Sequence, residues 1–598
     1  MKKYSDYLCQ NLFDLGYTHC FFVAGGNIMH LIGSASEKFV MIPVVNEVAA
    51  GIAVEYFNAS QNGKKAFAMV TAGPGLTNLV TAIAGAYFES REILVIGGQV
   101  KVSDLSQNQV RQRGIQEIDG AELVKSICKL SIRIDVPLEK NTFIKYCKIS
   151  SEPRMGPVFI EIPLDVQASV VDCKIFDKDC NNKFEHNFPP KIDEEKINQV
   201  SKYLKNSYRP IILLGGGLQR FGDSIKLFNE KISKLNIPVM TTWNALDRID
   251  SDNHFYFGRP DTWGQRYANV LIQQSDLLIA VGAKLGIQQT GFNWRSFIPN
   301  GKIIQIDCDE NELNKGHPEV DLKMMYDAND FIEKILSIDY FAPNEWLSFC
   351  ENVKNLLPLN DPGNVTQDGY LSPYFFVEKL SKICKTNDVV VPCSSGGAST
   401  VMMQAFLQKQ GQVVINNKAL ASMGYGLSGA IGASIANPQK RTILIEGDGG
   451  FSQNLQEIAT AVANNLNLKI FIFENSGYAS IRMTQKNYFG GKYVGCDTNT
   501  GLGFPNWFKL FDAYSVEAIE INNENFIVDK KFLDLFNNDK CVAFIVRIDP
   551  EQTYFPKISS RIKKDGGMES NPLHLMTPDL EPELAKKVFK YINYEKKS

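Results

Sequence analysis

Residues 441–450 read Arg-Thr-Ile-Leu-Ile-Glu-Gly-Asp-Gly-Gly, and Asn475 follows in Glu-Asn-Ser-Gly-Tyr, 27 positions after Asp448 (475 − 448). The apolar, β-branched run before the glycines is typical of a buried strand. Residues 455–463 have apolar side chains at helical spacing, and residues 468–473 form a second apolar strand. The stretch therefore predicts a strand–turn–helix–strand unit in which Asp448 and Asn475 follow two strands, at the edge where doubly wound sheets bind ligands.

The residues at this edge predict a particular kind of ligand. Glycines on either side of Asp448 let backbone amides approach a phosphate without a Cβ in the way. The Asp448 carboxylate and the Asn475 amide oxygen suit Mg²⁺, which keeps phosphates and water as its other ligands. A Gly-Asp-Gly sequence alone is more often an ordinary turn, but its context and the spacing to Asn475 favour a diphosphate cofactor held through a metal.

Length and composition exclude several classes of protein. The 598 residues predict three or four domains, and a net charge of −3 gives no reason to expect nucleic acid or a membrane surface as partner. No apolar run has the length of a membrane span, and the first residues lack the apolar core of a signal peptide. The 12 cysteines show no CxxC spacing, which predicts reduced thiols, no zinc site and a cytoplasmic protein.

Short apolar strands alternate with helical segments along most of the chain. This pattern predicts an α/β fold class with three doubly wound parallel-sheet domains, joined by polar linkers near residues 171–191 and 358–370. The predicted units are residues 1–170, 191–339 and 371–550, followed by an irregular tail, 551–598, that ends in a short helix.

The spacing of the Gly-Asp-Gly sequence to Asn475 resembles the signature of thiamine diphosphate-dependent enzymes. The resemblance implies that Asp448, Asn475 and the main-chain carbonyl of Gly477 ligate Mg²⁺, which in turn holds the diphosphate of thiamine diphosphate. It also implies that the three units are pyrimidine-binding, central and diphosphate-binding domains. In that family the cofactor lies between the first domain of one subunit and the third domain of another, so a homodimer or homotetramer is expected.

A thiamine diphosphate enzyme also needs an acid at N1′ of the cofactor's pyrimidine ring. Residues 41–56 place Glu47 between a strand and an alanine-rich helix, and they resemble the catalytic-glutamate motif of the acetolactate synthase group. The resemblance implies that Glu47 shares a proton with N1′ in a dry setting. A glutamate in a first helical turn also stabilises the helix dipole without any catalytic role, and this alternative stays open.

Further segments resemble the same group in order and interval, namely residues 22–26, 71–78, 156–167 and 421–433. Gln116 falls where the group keeps a glutamine near the reactive centre, although an ordinary loop residue is the alternative. Met423 falls where a bulky residue bends the cofactor, although a core gap-filler is the alternative. The residues expected to contact the cofactor are Gly25, Gly26, Pro74, Asn78, Ser395, Gly396, Met423, Gly447, Asp448, Gly449, Gly450, Asn475, Gly477 and Tyr478.

The central unit departs from the acetolactate synthases. Their motif Arg-Phe-Asp-Asp-Arg-Val-Thr-Gly is replaced at residues 284–291 by Lys-Leu-Gly-Ile-Gln-Gln-Thr-Gly, so Gln288 stands where the group has the arginine that anchors the acceptor carboxylate. Losing that charge-assisted pair removes about 1.5–3 kcal/mol of anchoring, which disfavours condensation of two pyruvates. The replacement also removes aspartates associated with flavin, which puts FAD in doubt. The glycines at 215–217 and Asp307 suit either a dinucleotide or simple turns.

The expected function is decarboxylation of a 2-oxo acid, pyruvate in the first instance, and transfer of the two-carbon unit to an acceptor carbonyl. Residues 480–490 and 565–574 resemble acetolactate synthase-like proteins tied to bacterial surface-polysaccharide pathways, which favours a keto-sugar acceptor. Arg482 and Gln485 there suit either a phosphate or sugar, or a solvated helix face. The alternatives are a thiamine-dependent C–C hydrolase of a cyclic diketone, a flavin-linked 2-oxo acid oxidase, acetolactate synthase proper, and a non-catalytic binding protein on the same fold.

Overall fold

Three parallel β-sheets organise the chain, one in each predicted α/β segment. A computed structural model of the protein describes residues 1–107, 110–177, 188–221, 225–562 and 566–593. The first sheet has six strands in the order β2-β1-β3-β4-β6-β5. Its strands are β1 (Tyr17–Phe22), β2 (Val40–Pro43), β3 (Lys65–Val70), β4 (Ile93–Gln99), β5 (Leu130–Arg133) and β6 (Pro157–Pro163).

The second sheet has five strands in the order β8-β7-β9-β10-β11, and the third has six in the order β13-β12-β14-β15-β17-β16. The second is built from β7 (Pro210–Leu214), β8 (Val239–Thr241), β9 (Leu277–Val281), β10 (Lys302–Asp307) and β11 (Leu322–Met325). The third is built from β12 (Val389–Val391), β13 (Val413–Val414), β14 (Thr442–Gly447), β15 (Leu468–Glu474), β16 (Glu517–Ile521) and β17 (Val542–Arg547).

Helices cover the faces of all three sheets. Those of the first segment are α1 (Tyr4–Asp14), α2 (Met29–Ala35), α3 (Glu47–Ala59), α4 (Pro74–Glu89), α5 (Gly120–Val124), α6 (Lys140–Lys148), α7 (Leu164–Ala168) and α8 (Cys173–Phe176). The second segment contains α9 (Glu194–Lys205), α10 (Ile225–Leu235), α11 (Arg266–Ile272), α12 (Ile287–Thr290), α13 (Glu310–Asn314), α14 (Ala328–Ile335) and α15 (Asn344–Leu356). The third contains α16 (Pro373–Ile383), α17 (Gly396–Ala405), α18 (Tyr425–Ala436), α19 (Asp448–Phe451), α20 (Ile458–Ala463), α21 (Ala479–Tyr488), α22 (Trp507–Ala513) and α23 (Lys530–Asn537), and α24 (Pro582–Val588) lies in the tail.

The architecture confirms the predicted α/β class. The central strands β4 and β6 are buried along their whole length, as expected for parallel strands covered on both faces. The helix predicted over residues 455–463 is a 3₁₀ turn, Leu455–Glu457, followed by α20. Among the described residues, none of the helices has the length and apolarity that a membrane crossing requires. The described cysteines are free thiols.

Three segments lie outside the predicted units: residues 340–370, the linker at 171–191 and the tail. Helix α15 follows the predicted end of the second unit at residue 339, yet its Trp346 lies in the hydrophobic core of that unit, together with Leu573 and Val588 of the tail. The predicted linker at 358–370 contains no helix or strand. Most of the predicted linker at 171–191 lies outside the described residues. The tail therefore packs into the core of the central unit.

The first and third units share one hydrophobic core where α3 packs on α18. Both helices are almost wholly buried and rich in small residues. A Cβ on Gly429 would lie 2.7 Å from the ring of Tyr56, and a Cβ on Gly432 would lie 2.6 Å from the carbonyl carbon of Ala53. The helix backbones approach this closely because glycine occupies both positions.

We expect Gly432→Ala to destabilise the protein by about 1–3 kcal/mol, because the added methyl group would overlap the backbone of α3. Thermal unfolding at fixed protein and ligand concentration measures the effect as a lower midpoint. Gly33→Ala is the matched control, since Gly33 is also helical and a Cβ there meets nothing within 4 Å. Equal midpoints for the two variants would contradict the close packing of α3 on α18.

Candidate active site

The residues predicted to hold a metal lie at neighbouring strand ends of the third sheet. Strands β14 and β15 are paired, with Gly447 opposite Phe473. Asp448 begins α19 directly after β14, and Asn475 follows β15. This edge lies beside the switch in strand order between β12 and β14, where open α/β sheets bind ligands.

Asp448 is held in place by backbone amides. Its carboxylate accepts hydrogen bonds from the amides of Gly449 (2.7 Å), Asn475 (3.0 Å) and Gly477 (3.3 Å). The side chain is only 1% exposed. Burial raises the pKa of Asp448 to about 7, because the apolar surroundings penalise the charged form more than these hydrogen bonds favour it. A carboxylate in this setting is stabilised by a bound cation.

Asn475 provides an oxygen with unused bonding capacity. Its Oδ1 atom is buried and has no hydrogen-bond partner among the described residues. A buried polar atom without a partner costs roughly 1–3 kcal/mol, so such atoms mark places where a ligand or ion completes the site. Together with Asp448, this oxygen fits the donor set of a hard divalent cation such as Mg²⁺.

The glycines of the metal loop have different surroundings. A Cβ on Gly449 would overlap the ring of Tyr478, and a Cβ on Gly450 would lie 2.9 Å from Glu446 Oε1. Gly447 has open space at the same position. Gly449 and Gly450 are therefore required for internal packing, whereas Gly447 leaves room for a ligand.

Two further predicted segments border this edge. Gly396 begins α17 after β12 with a φ of +79°, has open space around it, and follows Ser395 at the N-cap. The N-terminus of such a helix attracts phosphate. Met423 is 37% exposed, so the interpretation of this residue as a core gap-filler is wrong. Its loop is held by Asn454, whose side chain donates to the carbonyl oxygen of Gly424 (2.7 Å).

Glu47 is the first residue of α3 and lies at the corresponding edge of the first sheet. It is buried, and Asn78 of α4 donates a hydrogen bond to its Oε2 atom at 3.0 Å. Glu457 of the third unit holds the turn before Glu47. Its carboxylate accepts hydrogen bonds from the amides of Asn46 (3.0 Å) and Val45 (3.3 Å). Glu47 is thus positioned both by its own unit and by the third.

Gln116 lies against the turn that begins α4. The carbonyl oxygen of Gln116 is 2.5 Å from the position of a Cβ on Gly73, next to Pro74. The Gln116 side chain is exposed, and its φ of +61° is sparsely populated for a residue with a Cβ. Glu117 holds this loop by accepting hydrogen bonds from the amides of Arg113 (2.9 Å) and Gly114 (2.8 Å). Although burial acts in the opposite direction, hydrogen bonds from the loop backbone lower the pKa of Glu117 to about 2.

The structure thus gathers the predicted site residues into two groups. The first unit contributes Gly25, Gly26, Glu47, Pro74, Asn78 and Gln116. The third unit contributes Ser395, Gly396, Met423, Gly447, Asp448, Gly449, Gly450, Asn475, Gly477 and Tyr478. Among the described residues, no hydrogen bond joins the two groups directly, and Glu457 provides a link through the backbone before Glu47.

Arg482 was misinterpreted from the sequence. It is buried, so it belongs to no solvated helix face, and its guanidinium is already engaged within the protein. It donates to the carbonyl oxygens of Asn475 (3.3 Å) and Pro550 (2.5 Å) and lies 3.6 Å from the Asp497 carboxylate. The Gln485 side chain donates to the carbonyl oxygen of Val494 and accepts a hydrogen bond from the amide of Val494. Both residues stabilise the loops around Asn475 and are not free to bind a phosphate or sugar.

Tyr554 is a site neighbour that the sequence did not indicate. Its ring lies 2.7 Å from the position of a Cβ on Gly397, and its hydroxyl is close to Asn475 and Asp448. Burial raises the pKa of this hydroxyl. No spacing pattern connects residue 554 with residue 475, because the tail reaches the third unit only through tertiary packing.

A separate cavity of about 630 Å³ lies at the carboxyl edge of the second sheet, where Asp307, Gln288 and Lys418 contribute to its wall. A Cβ on Gly215 would overlap the backbone of Gly282, so the glycine run after β7 allows two loops to approach each other. Gly215 therefore serves packing, whereas Gly216 and Gly217 line the cavity. Burial raises the pKa of Asp307, which lies at the end of β10.

Comparison with known protein families matches the chain in three segments. The model described as "Thiamine pyrophosphate enzyme, N-terminal TPP binding domain" matches residues 2–123, the central-domain model matches residues 197–335, and the C-terminal TPP binding domain model matches residues 395–546. The matched segments contain both groups of predicted site residues, the whole second sheet and most strands of the other two sheets.

Curated relatives extend the similarity over most of the chain. A probable acetolactate synthase large subunit of Methanocaldococcus jannaschii is 30% identical over 528 residues, covering 86% of each chain. The acetolactate synthase isozyme 1 large subunit of Escherichia coli K12 is 26% identical over 552 residues, covering 90% of this chain and 92% of the relative. The chloroplastic acetolactate synthase 1 of Zea mays is 26% identical over 544 residues, covering 88% and 82%.

The buried donor set between β14 and β15, the helix that begins at Glu47 and this similarity together assign the chain to the thiamine diphosphate-dependent enzymes, as an acetolactate synthase-like member.

Proposed function

We propose that this enzyme is a Mg²⁺-dependent carboligase that decarboxylates a 2-oxo acid, pyruvate in the first instance, and transfers the two-carbon unit to the carbonyl of a second molecule. The observation that carries the proposal is the unpaired, buried Oδ1 atom of Asn475 beside the buried carboxylate of Asp448. When bound, thiamine diphosphate supplies a carbon nucleophile that adds to the 2-oxo acid and accepts the electron pair left by carbon dioxide.

The residues of the chain have distinct roles in this proposal. Asp448, Asn475 and the carbonyl of Gly477 hold Mg²⁺, and the open faces of Gly396 and Gly447 receive the diphosphate. Met423, which is exposed, would support the bound cofactor. Ser395, at the N-cap before Gly396, and Tyr478, beside Gly449, would border the diphosphate.

The first unit provides the acid and the pyrimidine pocket. Glu47 holds a proton at the pyrimidine N1′, with Asn78 fixing the carboxyl orientation through their 3.0 Å hydrogen bond. Gly26, which has open space around it, would contact the cofactor, whereas Gly25 packs closely against Thr71. Gln116 would orient the reacting carbonyl from its exposed loop. We infer that Glu47 of one subunit acts with Asp448 of another, so the working enzyme is a homodimer or a dimer of dimers.

The proposed acceptor is not a second pyruvate. Gln288 is neutral and replaces a charged anchor, and its backbone carbonyl already accepts a hydrogen bond from the Thr262 amide (2.8 Å). A keto-sugar is the acceptor we favour, because its hydroxyl groups can be recognised by hydrogen bonds without the arginine fork that the chain lacks at Gln288. The described cysteines are free thiols, which supports a cytoplasmic location.

We expect Glu47→Gln to lower the release of labelled carbon dioxide from 1-¹⁴C-pyruvate by 10²- to 10⁴-fold, because the amide cannot exchange a proton with the pyrimidine. The matched control is Glu37→Gln, which changes an exposed glutamate of the same unit and leaves the rate unchanged. Wild-type-like turnover by Glu47→Gln would remove the acid role. Absence of labelled carbon dioxide from the wild type with any acceptor would favour the C–C hydrolase.

We expect thiamine diphosphate uptake to require Mg²⁺ and to weaken about 100-fold or more in Asp448→Asn, because the substitution removes the anionic ligand. Isothermal titration calorimetry with and without EDTA measures both effects. Asp368→Asn, at an exposed position before the third unit, is the control that keeps the affinity of the wild type. Equal affinity with and without the metal would exclude the proposed ion bridge.

We expect turnover without FAD, because decarboxylation followed by carbon–carbon bond formation involves no net oxidation. Apoprotein reconstituted with thiamine diphosphate and Mg²⁺ alone is compared with protein given FAD as well, and the rates should agree within twofold. A yellow protein whose turnover consumes oxygen would instead identify the flavin-linked oxidase, with the cavity of the central unit as the flavin site.

A further inference from the structure

Lys557 is a partly buried cation with an unusual set of neighbours. Its amine lies 3.1 Å from the sulfur of Met483, 5.4 Å from the centroid of the Trp263 ring and 5.8 Å from that of Phe555. No carboxylate in the described part of the chain forms an ion pair with it, and burial lowers the pKa of the amine. A thioether is a weak acceptor and aromatic faces accept no strong hydrogen bond, so the ammonium retains donors for an anion.

This amine stands close to the edge that binds the cofactor. Met483 lies on the second turn of α21, which begins directly after Tyr478 of the metal loop. Tyr554, three residues before Lys557, packs on Gly397 and lies beside Asn475. The stretch of tail from 554 to 557 therefore runs from the neighbourhood of Asn475 to helix α21.

The same stretch of tail is joined to the position of the missing arginine. The amide of Ile558 donates to the carbonyl oxygen of Thr262 (2.9 Å), and the amide of Thr262 donates to the carbonyl oxygen of Gln288 (2.8 Å). Trp263, over which the Lys557 amine lies, follows Thr262 directly. A continuous backbone connection thus brings Lys557 into the neighbourhood of Gln288.

Four other cations near the metal loop and the central cavity are already engaged by the protein. Lys486, one turn further along α21 than Met483, forms an ion pair with Glu551 (2.7 Å). Lys418 lies 3.8 Å from Asp261, and Lys284 donates to the carbonyl oxygen of Phe88 (2.8 Å). Arg482 donates hydrogen bonds to the carbonyl oxygens of Pro550 and Asn475 and pairs with Asp497. Lys557 differs from these four, because no carboxylate or carbonyl oxygen of the described residues is shown to accept a hydrogen bond from its amine.

We propose that Lys557 binds an anionic group of the acceptor and takes over the anchoring function that the chain lacks at Gln288. The acceptor is accordingly a carbonyl compound that carries a phosphate or a carboxylate. An ammonium acts as a point charge without a fixed fork, so it accommodates either anion. This inference rests on the proposed carboligase function, but anion binding at Lys557 can be measured separately from turnover.

The kinetic test compares the wild type with Lys557→Gln and Lys557→Arg. Ligation of labelled pyruvate is measured with three acceptors: glyceraldehyde 3-phosphate, 2-oxobutyrate and uncharged glyceraldehyde. We expect Lys557→Gln to raise the KM for an anionic acceptor at least tenfold, while kcat, the KM for glyceraldehyde and carbon dioxide release without acceptor stay within twofold. Lys557→Arg should recover most of the affinity. The anion with the larger KM shift distinguishes phosphate from carboxylate recognition.

Lys486→Gln is the matched control, since it removes a lysine from the same region whose charge is already paired. It should leave all three acceptor constants unchanged. Equal losses with charged and uncharged acceptors in Lys557→Gln would assign Lys557 to packing of the tail and overturn the proposal. Unchanged constants with both anionic acceptors would overturn it as well.

Fluorescence separates this proposal from the function on which it rests. Because the Lys557 amine lies over Trp263, titration with inorganic phosphate or 2-oxobutyrate should change tryptophan emission saturably in the wild type and not in Lys557→Gln. Saturable binding without any release of carbon dioxide would overturn the carboligase function and keep the anion site. Absence of a Lys557-dependent change with either anion would overturn the site.

Discussion

A buried carboxylate, that of Glu457, fixes how the first and third units of one chain meet. It accepts hydrogen bonds from the amides of Val45 and Asn46 and from the hydroxyl of Thr460 (2.6 Å). Burial raises the pKa of this carboxyl, and these hydrogen bonds offset only part of that shift. Glu457 lies nine residues after Asp448 (457 − 448) on the same stretch of chain. One stretch of chain therefore carries the metal loop and also holds the entry to the Glu47 helix of the same chain, which in the proposed dimer belongs to the second site.

The packing of α3 on α18 makes this relation rigid. Gly429 and Gly432 allow the helices to touch, and a charged cluster closes the same interface nearby. Arg91 lies 2.6 Å from Glu55, whose carboxylate also accepts a hydrogen bond from Asn417 of the third unit (3.0 Å). Burial raises the pKa of Glu55, because desolvation outweighs these partners. Buried ion pairs contribute more to specificity than to stability, so the cluster fixes how the units meet.

Local sequence patterns predicted the features that local chain geometry determines. The three sheets, the positions of Asp448 and Asn475 after two strands, and Glu47 at the start of a helix follow from apolar runs and glycine positions that periodicity records. The roles of Arg482, Glu457 and Tyr554 follow from contacts between residues far apart in sequence, which leave no periodic trace. For the same reason the tail's packing on the central unit, through Leu573 and Val588, was not predicted.

The departure at residues 284–291 has a consequence for substrate shape. An arginine on the central unit presents a planar fork that matches one planar carboxylate, whereas an ammonium on the tail presents a single charge of no fixed orientation. In the proposal, the anchoring charge lies at Lys557 instead of position 288. The acceptor must then carry an anionic group, but that group need not be a planar carboxylate in one fixed orientation. The aromatic face of Trp263 beneath the amine adds apolar surface of the kind on which sugar rings stack. Charge on the tail and a flat surface on the central unit thus favour a larger, phosphorylated acceptor over a second small keto acid.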